Sequence, residues 1–411
     1  MMETNPVTVA PTPRYWQTEA LDRWLATGRR GIAQVVTGGG KTTFAGLCAR
    51  RFFDDVPSGS VIVVVPTVVL LDQWFVALQD DFGVASEDIA TYSGEGHPTA
   101  PGRFNLIVLN TARVEAPAVS SLHTTFLIVD ECHRVGSPQN ARAVGGNHAA
   151  TLGLSATPRR DYDDAYETVI EPALGPLIYE YGYNEARRDQ VVASFDLVNV
   201  RVDMSSSEQE QYDKLSRQLA MLVRRFHNGE DVDNRIKKVL RDRASVSANA
   251  AARVPVAVRL AAQYPHERVL VFHESINAAN RIVRLLLERG QRAAAYHSKI
   301  GPDIRRDNLR MFRRGQLDAL VSCRALDEGM NVPEASIAVI GSSTASGRQR
   351  IQRLGRVLRP AATKSKAIIY TLYATSIEED RLRAESARLE SVERVSWLST
   401  RGGSDGAPPA A

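Results

Sequence analysis

Six residues constrain this chain more than any others: Thr37-Gly38-Gly39-Gly40-Lys41-Thr42, with an apolar stretch of strand character, Gly31–Val36, before them and a helical pattern, Thr42–Phe53, after them. Three successive glycines are costly inside a strand or a helix, so they mark a sharp turn between the two. A strand, a glycine turn and a helix in that order belong to an α/β layer. The turn aims backbone N–H groups and a helix N-terminus at one point, where an anion such as a phosphate chain is favoured. Lys41 adds a point charge there, Thr42 a hydroxyl suited to Mg²⁺, and Thr37 and Thr43 flank the turn. The strict phosphate-loop pattern has glycine at position 35, where this chain has Val35.

Short β-rich apolar runs alternate with amphipathic stretches along the rest of the chain, the pattern of βαβ units and parallel sheets. The first half offers Gly31–Val36, Val61–Val65, Leu106–Leu109, Phe126–Asp130 and Leu152–Ala156; the second offers Val269–His273, Ala293–His297, Ala319–Cys323, Ile337–Gly341 and Ala367–Leu372. With 411 residues there is length for two such domains, each with its own core. The expected division is a loose tail over 1–13, a first α/β domain over 14–172, a connection over 173–204, a helical insertion over 205–263, a second α/β domain over 264–390 and a loose tail over 391–411. The insertion opens on Ser205-Ser206-Ser207-Glu208, a helix N-cap with an acidic first turn. Between Asp213 and Arg243 it carries nine Lys/Arg and five Asp/Glu, which reads either as a solvated helical face or as a grip on a phosphate backbone.

Two further strings carry chemistry. Phe126-Leu-Ile-Val-Asp130 is an apolar strand ending in paired carboxylates, with Asp130 placed to hold Mg²⁺ and Glu131 to orient or deprotonate an attacking water. Between Gly341 and Lys366 lie seven Lys/Arg and no acidic residue. Gln352, Arg353, Arg356 and Arg359 interleave there with Ile351, Leu354 and Leu358, an amphipathic helix with one arginine-lined face. Arg356 and Arg359 are three apart, share that face, and suit the neutralisation of charge on a transferring γ-phosphate.

Other classes are excluded or lack support. The net charge of +4 is too small to argue for nucleic acid without local clusters. The longest apolar run, 61–71, is broken by Pro66 and Thr67, so no membrane association is expected, and the first residues lack a signal-peptide pattern. Three cysteines, Cys48, Cys132 and Cys323, form no CxxC; the expectation is a reducing cytosol and no structural zinc. His297, Lys299 and Asp303 approach a phospholipase-type nuclease pattern, but the aspartate comes one residue early.

Taken in order, these strings resemble superfamily 2 helicases, and most of all the branch of the xeroderma pigmentosum group B helicases and their bacterial and phage relatives. The resemblance covers residues 14 to 375. Arg14-Tyr-Trp-Gln17 looks like the family's adenine-reading element, with Gln17 on the base edge. Val65-Pro-Thr67 with Leu71-Asp-Gln-Trp74 looks like its first strand-tracking motif, and Asn110-Thr111-Ala-Arg113 like the next. Ser155-Ala-Thr157-Pro158, with His133, matches the elements that couple hydrolysis to movement. Ala325-Leu-Asp-Glu328-Gly329-Met-Asn331-Val-Pro333 matches the fifth motif and the arginine helix the sixth.

This resemblance implies two tandem RecA-like P-loop domains and an ATP-dependent helicase or translocase that uses ATP and Mg²⁺. It puts Glu328 and Gly329 near the nucleotide, Gln352 at the water, and Thr67, Thr111 and Ser322 on the nucleic-acid backbone. The expected track is DNA, whether duplex, forked or single-stranded. The alternatives are an RNA-dependent ATPase or a slowly hydrolysing ATP-gated clamp acting with a partner. Two features depart from the family: Asn331 stands where an aspartate is usual, and only thirteen residues precede Arg14. The second leaves no room for an N-terminal damage-recognition domain, so a protein partner is expected to choose the target.

Overall fold

The computed structural model describes residues 12–159, 164–189, 191, 194–323, 335–342, 367–387 and 392–400. The chain divides into two compact units, with the boundary between Val192 and Ala193.

In the first unit seven parallel strands form one sheet: β1 (Arg30–Val35), β2 (Ser60–Val65), β3 (Ile89–Tyr92), β4 (Phe104–Val108), β5 (Thr125–Asp130), β6 (Ala150–Ser155) and β7 (Leu177–Tyr181), in the order β3-β4-β2-β5-β6-β1-β7. Helices α1 (Tyr15–Ala26), α2 (Lys41–Asp55), α3 (Val68–Asp80), α4 (Leu109–Leu122), α5 (Glu171–Leu174) and α6 (Tyr183–Arg188) connect and cover them. A strand buried on both faces has no polar side, which is why β2 reads Ser-Val-Ile-Val-Val-Val and is buried throughout. Its residues alternate between two cores. Val61, Val63 and Val65 join Trp24, Phe52, Leu71, Trp74 and Phe126, while Ile62 and Val64 join Ile107, Ala116, Leu127 and Val129 on the opposite face.

The second unit repeats the plan with β8 (Phe195–Arg201), β9 (Val269–Phe272), β10 (Ala293–Tyr296), β11 (Ala319–Ser322), β12 (Ile337–Ile340), β13 (Ala367–Tyr373) and β14 (Val392–Ser399), in the order β10-β11-β9-β12-β13-β8-β14. Its helices are α7 (Ser206–His227), α8 (Asp233–Ala248), α9 (Arg253–Ala262), α10 (Ile276–Leu287), α11 (Pro302–Arg313) and α12 (Ser376–Ser386). α10 buries Ala279, Ile282 and Leu286, spaced three and four apart along one stripe. Two parallel sheets flanked by helices are the tandem RecA-like architecture expected from the sequence.

Three expected segments differ. The 173–204 stretch is no bare connection: β7 pairs with β1 in the first sheet and β8 with β13 in the second. Half-buried strands that alternate tyrosine with polar residues, between prolines and glycines, give a weak strand signal. The 391–411 segment is no simple tail, because β14 pairs along β8 as an edge strand. Its charged, alternating sequence, Val-Glu-Arg-Val-Ser-Trp-Leu-Ser, is how exposed edges are kept from pairing further. The helical insertion is also shorter than 205–263. α7 and α8 share a small core of their own around Leu222, Val232 and Val239, whereas Val254, Ala257, Val258 and Ala261 of α9 pack into the core of the second sheet.

Candidate active site

β6 pairs with β5 on one side and β1 on the other, so the carboxyl ends of these three strands lie side by side. Open parallel sheets bind their ligands beyond such ends. The sequence places a glycine turn after β1, two carboxylates after β5 and Ser155 at the tip of β6, which brings all three groups to one edge.

The turn after β1 needs its glycines. Gly38 and Gly40 have φ of 81° and 98°, and a Cβ on Gly40 would stand 2.7 Å from the Gln17 amide nitrogen. α2 begins at Lys41 with no side-chain cap, leaving its first turn open to a ligand. The turn's carbonyls are held from behind: Arg14 Nη1 donates to Gly39 O at 2.8 Å and Gln17 Nε2 to Gly40 O at 2.9 Å. Gln17 Oε1 accepts from the Arg14 amide at 2.8 Å, and the side chain is 1% exposed. Both ends of its amide are thus taken by this chain's backbone. In this geometry Gln17 braces the turn with one Nε2 hydrogen and one Oε1 lone pair.

At the tip of β5, Asp130 Oδ1 accepts from the Glu131 amide and Oδ2 from the Trp74 indole Nε1, each at 3.0 Å. Burial pushes the Asp130 carboxyl up; the Lys41 charge, the indole and the amide oppose that, while the Glu131 charge adds to it. Glu131 sits at φ 51°, a left-handed conformation that costs a non-glycine residue about 1 kcal/mol or more and is concentrated at functional sites. Its Oε1 accepts from Lys41 Nζ at 3.0 Å and its Oε2 lies 3.4 Å from His133 Nδ1. That histidine nitrogen is 3.0 Å from Ser155 Oγ, which accepts from the Thr157 amide at 3.1 Å. Lys41, Glu131, His133, Ser155 and Thr157 therefore form one continuous polar relay. Burial works to lower the Lys41 pKa, but Glu131 and Asp130 more than offset it, so the ammonium stays charged.

Thr67 caps α3, its hydroxyl accepting from the Leu70 amide, and Thr111 lies in the first turn of α4. Both follow strands of the same sheet edge. Ser322, in the second unit, is fully buried, its hydroxyl without a partner among the described residues. Glu328, Gly329, Asn331, Gln352, Arg356 and Arg359 lie outside the described residues. Sequence reasoning missed what Trp74 and Arg14 do: Trp74 was part of a recognised string, but its carboxylate partner is 56 residues away.

As a donor set the site fits a magnesium-bound nucleoside triphosphate. An uncapped helix start and a glycine turn suit phosphate oxygens, Lys41 and the Thr42 hydroxyl stand at that start, and Asp130 is a buried carboxylate short of positive charge.

Comparison with known proteins agrees with this assembly. Residues 10–160 match the family described as type III restriction enzyme, res subunit, and residues 252–361 the helicase conserved C-terminal domain. The chain is 25% identical over 385 residues to a protein of Sulfurisphaera tokodaii named DNA 3'-5' translocase XPB2, covering 87% of this chain and 83% of that one. It is also 25% identical over 380 residues to the DNA 3'-5' helicase XPB of Mycobacterium tuberculosis, covering 91% of this chain and 62% of the relative. In fold it is similar to Saccharomyces cerevisiae Dbp5 bound to RNA and ADP BeF3 (TM-score 0.63, 15% identity, 95% and 90% of the two chains). It is likewise similar to the Pyrococcus furiosus Hef helicase domain (TM-score 0.52, 16% identity, 92% and 98%). With two helicase-type domains matched in series on two RecA-like sheets, the chain is similar to superfamily 2 helicases along most of its length.

Proposed function

We propose that this protein is a nucleic-acid-dependent ATPase that moves along or unwinds DNA. The observation that carries the reading is the junction of Lys41, Asp130 and Glu131 with the relay through His133 to Ser155 and Thr157. The names of its relatives, a DNA translocase and a DNA helicase, support DNA as the track.

In this reading the phosphates lie on the 37–40 turn and the start of α2, with Thr42 and Asp130 holding Mg²⁺. Magnesium held there would neutralise charge on the phosphates. Lys41 turns from Glu131 toward the phosphates when they arrive. Glu131, relieved of that ion pair, is then free to take the proton of the attacking water. His133 and Ser155 sense the change and pass it to Thr157, at the exit of the first sheet. Arg356 and Arg359 keep their proposed roles as arginine fingers, and Gln352 that of positioning the water. Thr67 and Thr111 face the nucleic-acid backbone, so binding is tolerant of sequence and weakened by salt.

Glu131→Gln tests the core of the proposal. It should lower DNA-stimulated turnover by about 10²-fold or more while ATP and DNA still bind, since a positioned base contributes about that much. Turnover at the wild-type rate would remove Glu131 from the base role. Lys41→Ala should abolish turnover through loss of nucleotide binding, and substantial remaining hydrolysis would overturn the phosphate-loop assignment.

A further inference from the structure

Three buried indoles in the first unit allow a comparison. Trp24 Nε1 donates to the Thr151 carbonyl at 2.9 Å, an ordinary use of a buried donor. Trp16 is 2% exposed and its Nε1 has no hydrogen-bond partner among the described residues, unlike the other two indoles. Trp74 is 3% exposed and donates to Asp130 Oδ2 at 3.0 Å. Filling the core therefore does not by itself account for where the Trp74 N–H points.

The bond also fixes a direction. Each oxygen of an ionised carboxylate accepts up to two hydrogen bonds. Oδ1 of Asp130 is taken by the amide of Glu131 on the same loop, and Oδ2 by a side chain from a different element, α3. Two donors from two elements determine the plane of the carboxylate and leave its remaining lone pairs for a cation. Trp74 lies seven residues beyond Thr67, the N-cap of α3. Seven residues are close to two helical turns, so the two share a stripe about 10 Å long.

We infer that Trp74 is a positioning residue: its indole N–H holds the Asp130 carboxylate in the orientation that receives magnesium, and α3 thereby links the nucleic-acid contact at Thr67 to the metal carboxylate. This deepens the proposed function and rests on its assignments of Asp130 and Thr67. Strand binding that shifts α3 would reset the Asp130 carboxylate without any contact between nucleic acid and nucleotide.

The test uses the full chain and a fluorescent non-hydrolysable ATP analogue, titrated with Mg²⁺ in the presence and absence of duplex DNA. Trp74→Phe keeps most of the ring and deletes the donor. It should raise the Mg²⁺ concentration for half-saturation about tenfold, the usual consequence of removing a group that orients a metal ligand. Binding of the analogue without Mg²⁺ should stay as in the wild type, a pattern that general loosening of the fold would not give. DNA should sharpen Mg²⁺ affinity in the wild type and not in the variant. An unchanged Mg²⁺ titration in Trp74→Phe overturns the inference and leaves the site itself standing. If the wild type shows no Mg²⁺-dependent binding, or Lys41→Ala binds as the wild type does, the reading of the site falls first. Should Trp74→Phe not fold, the wild-type protein labelled with ¹⁵N at its four indoles gives the answer. The Trp74 indole resonance, assigned by substituting the others, should move on addition of Mg²⁺ with the analogue, and a resonance that stays in place contradicts the proposal.

Discussion

Arg253 shows how much one side chain can hold. It is fully buried, donating to the carbonyls of Ser247 (2.7 Å), Gly341 (2.9 Å) and Leu372 (2.7 Å) and, through Nη2, to both oxygens of Glu378 at 2.8 and 2.9 Å. These bonds tie α9, the ends of β12 and β13, and the start of α12 together. Removing one partner of a buried pair strands the other, so Arg253→Met should cost about 3–5 kcal/mol in denaturant unfolding of the second unit. A loss below 1 kcal/mol would show that the pair holds little. His273, 2% exposed, has its pKa held down to about 4 by burial and then by the charge of Arg253. Its Nδ1 accepts from the Ser275 amide, which requires the neutral ring. The unfolded chain takes up this proton near pH 6.5, so the stability from the neutral ring is complete above that value. It falls as the pH drops below 6.5 and the loss levels off below about pH 4, at about 3 kcal/mol in all. His273→Asn should flatten this acid limb of the stability curve; an unchanged limb would place the titration elsewhere. At this scale the sequence disclosed Lys41, Asp130 and Glu131, whose chemistry is written in neighbouring residues. Arg253 was hidden because its carboxylate partner lies 125 residues on.

Among the elements, the helical hairpin is the piece most separable from its surroundings. α7 and α8 pack on each other, and the Arg243 guanidinium sits 5.6 Å from the Tyr212 ring centre near the base of the hairpin. Phe226 and Met221 are exposed on α7 beside Arg224 and Arg225. Aromatic and basic side chains on one projecting element suit a nucleic-acid backbone. Replacing residues 213–242 by a short glycine–serine bridge should leave DNA-independent ATP hydrolysis within about twofold. DNA binding should weaken and its salt dependence become shallower, as phosphate contacts are lost. Retention of the full salt dependence would return these helices to the role of a solvated face. The ten strands read from the sequence are all present, with ends within two residues of those expected. Buried parallel strands are continuous apolar runs and declare themselves. β3, β7, β8 and β14 did not, since edge position or half-burial leaves them short, polar or interrupted.

For the molecule as a whole, the two sheets and the two matched domains make it similar to superfamily 2 helicases, and two of its relatives are named as a DNA translocase and a DNA helicase. No helix among the described residues is long and apolar enough to cross a membrane. The central claim is that the site at the edge of the first sheet hydrolyses ATP under the control of a nucleic-acid track. Steady-state ATP hydrolysis, alone and with single-stranded, duplex or forked DNA or with RNA, at two salt concentrations, tests it most directly. The account predicts slow turnover alone, strong stimulation by DNA, and loss of that stimulation at high salt. Turnover indifferent to every nucleic acid, or none at all despite tight ATP binding, would contradict it.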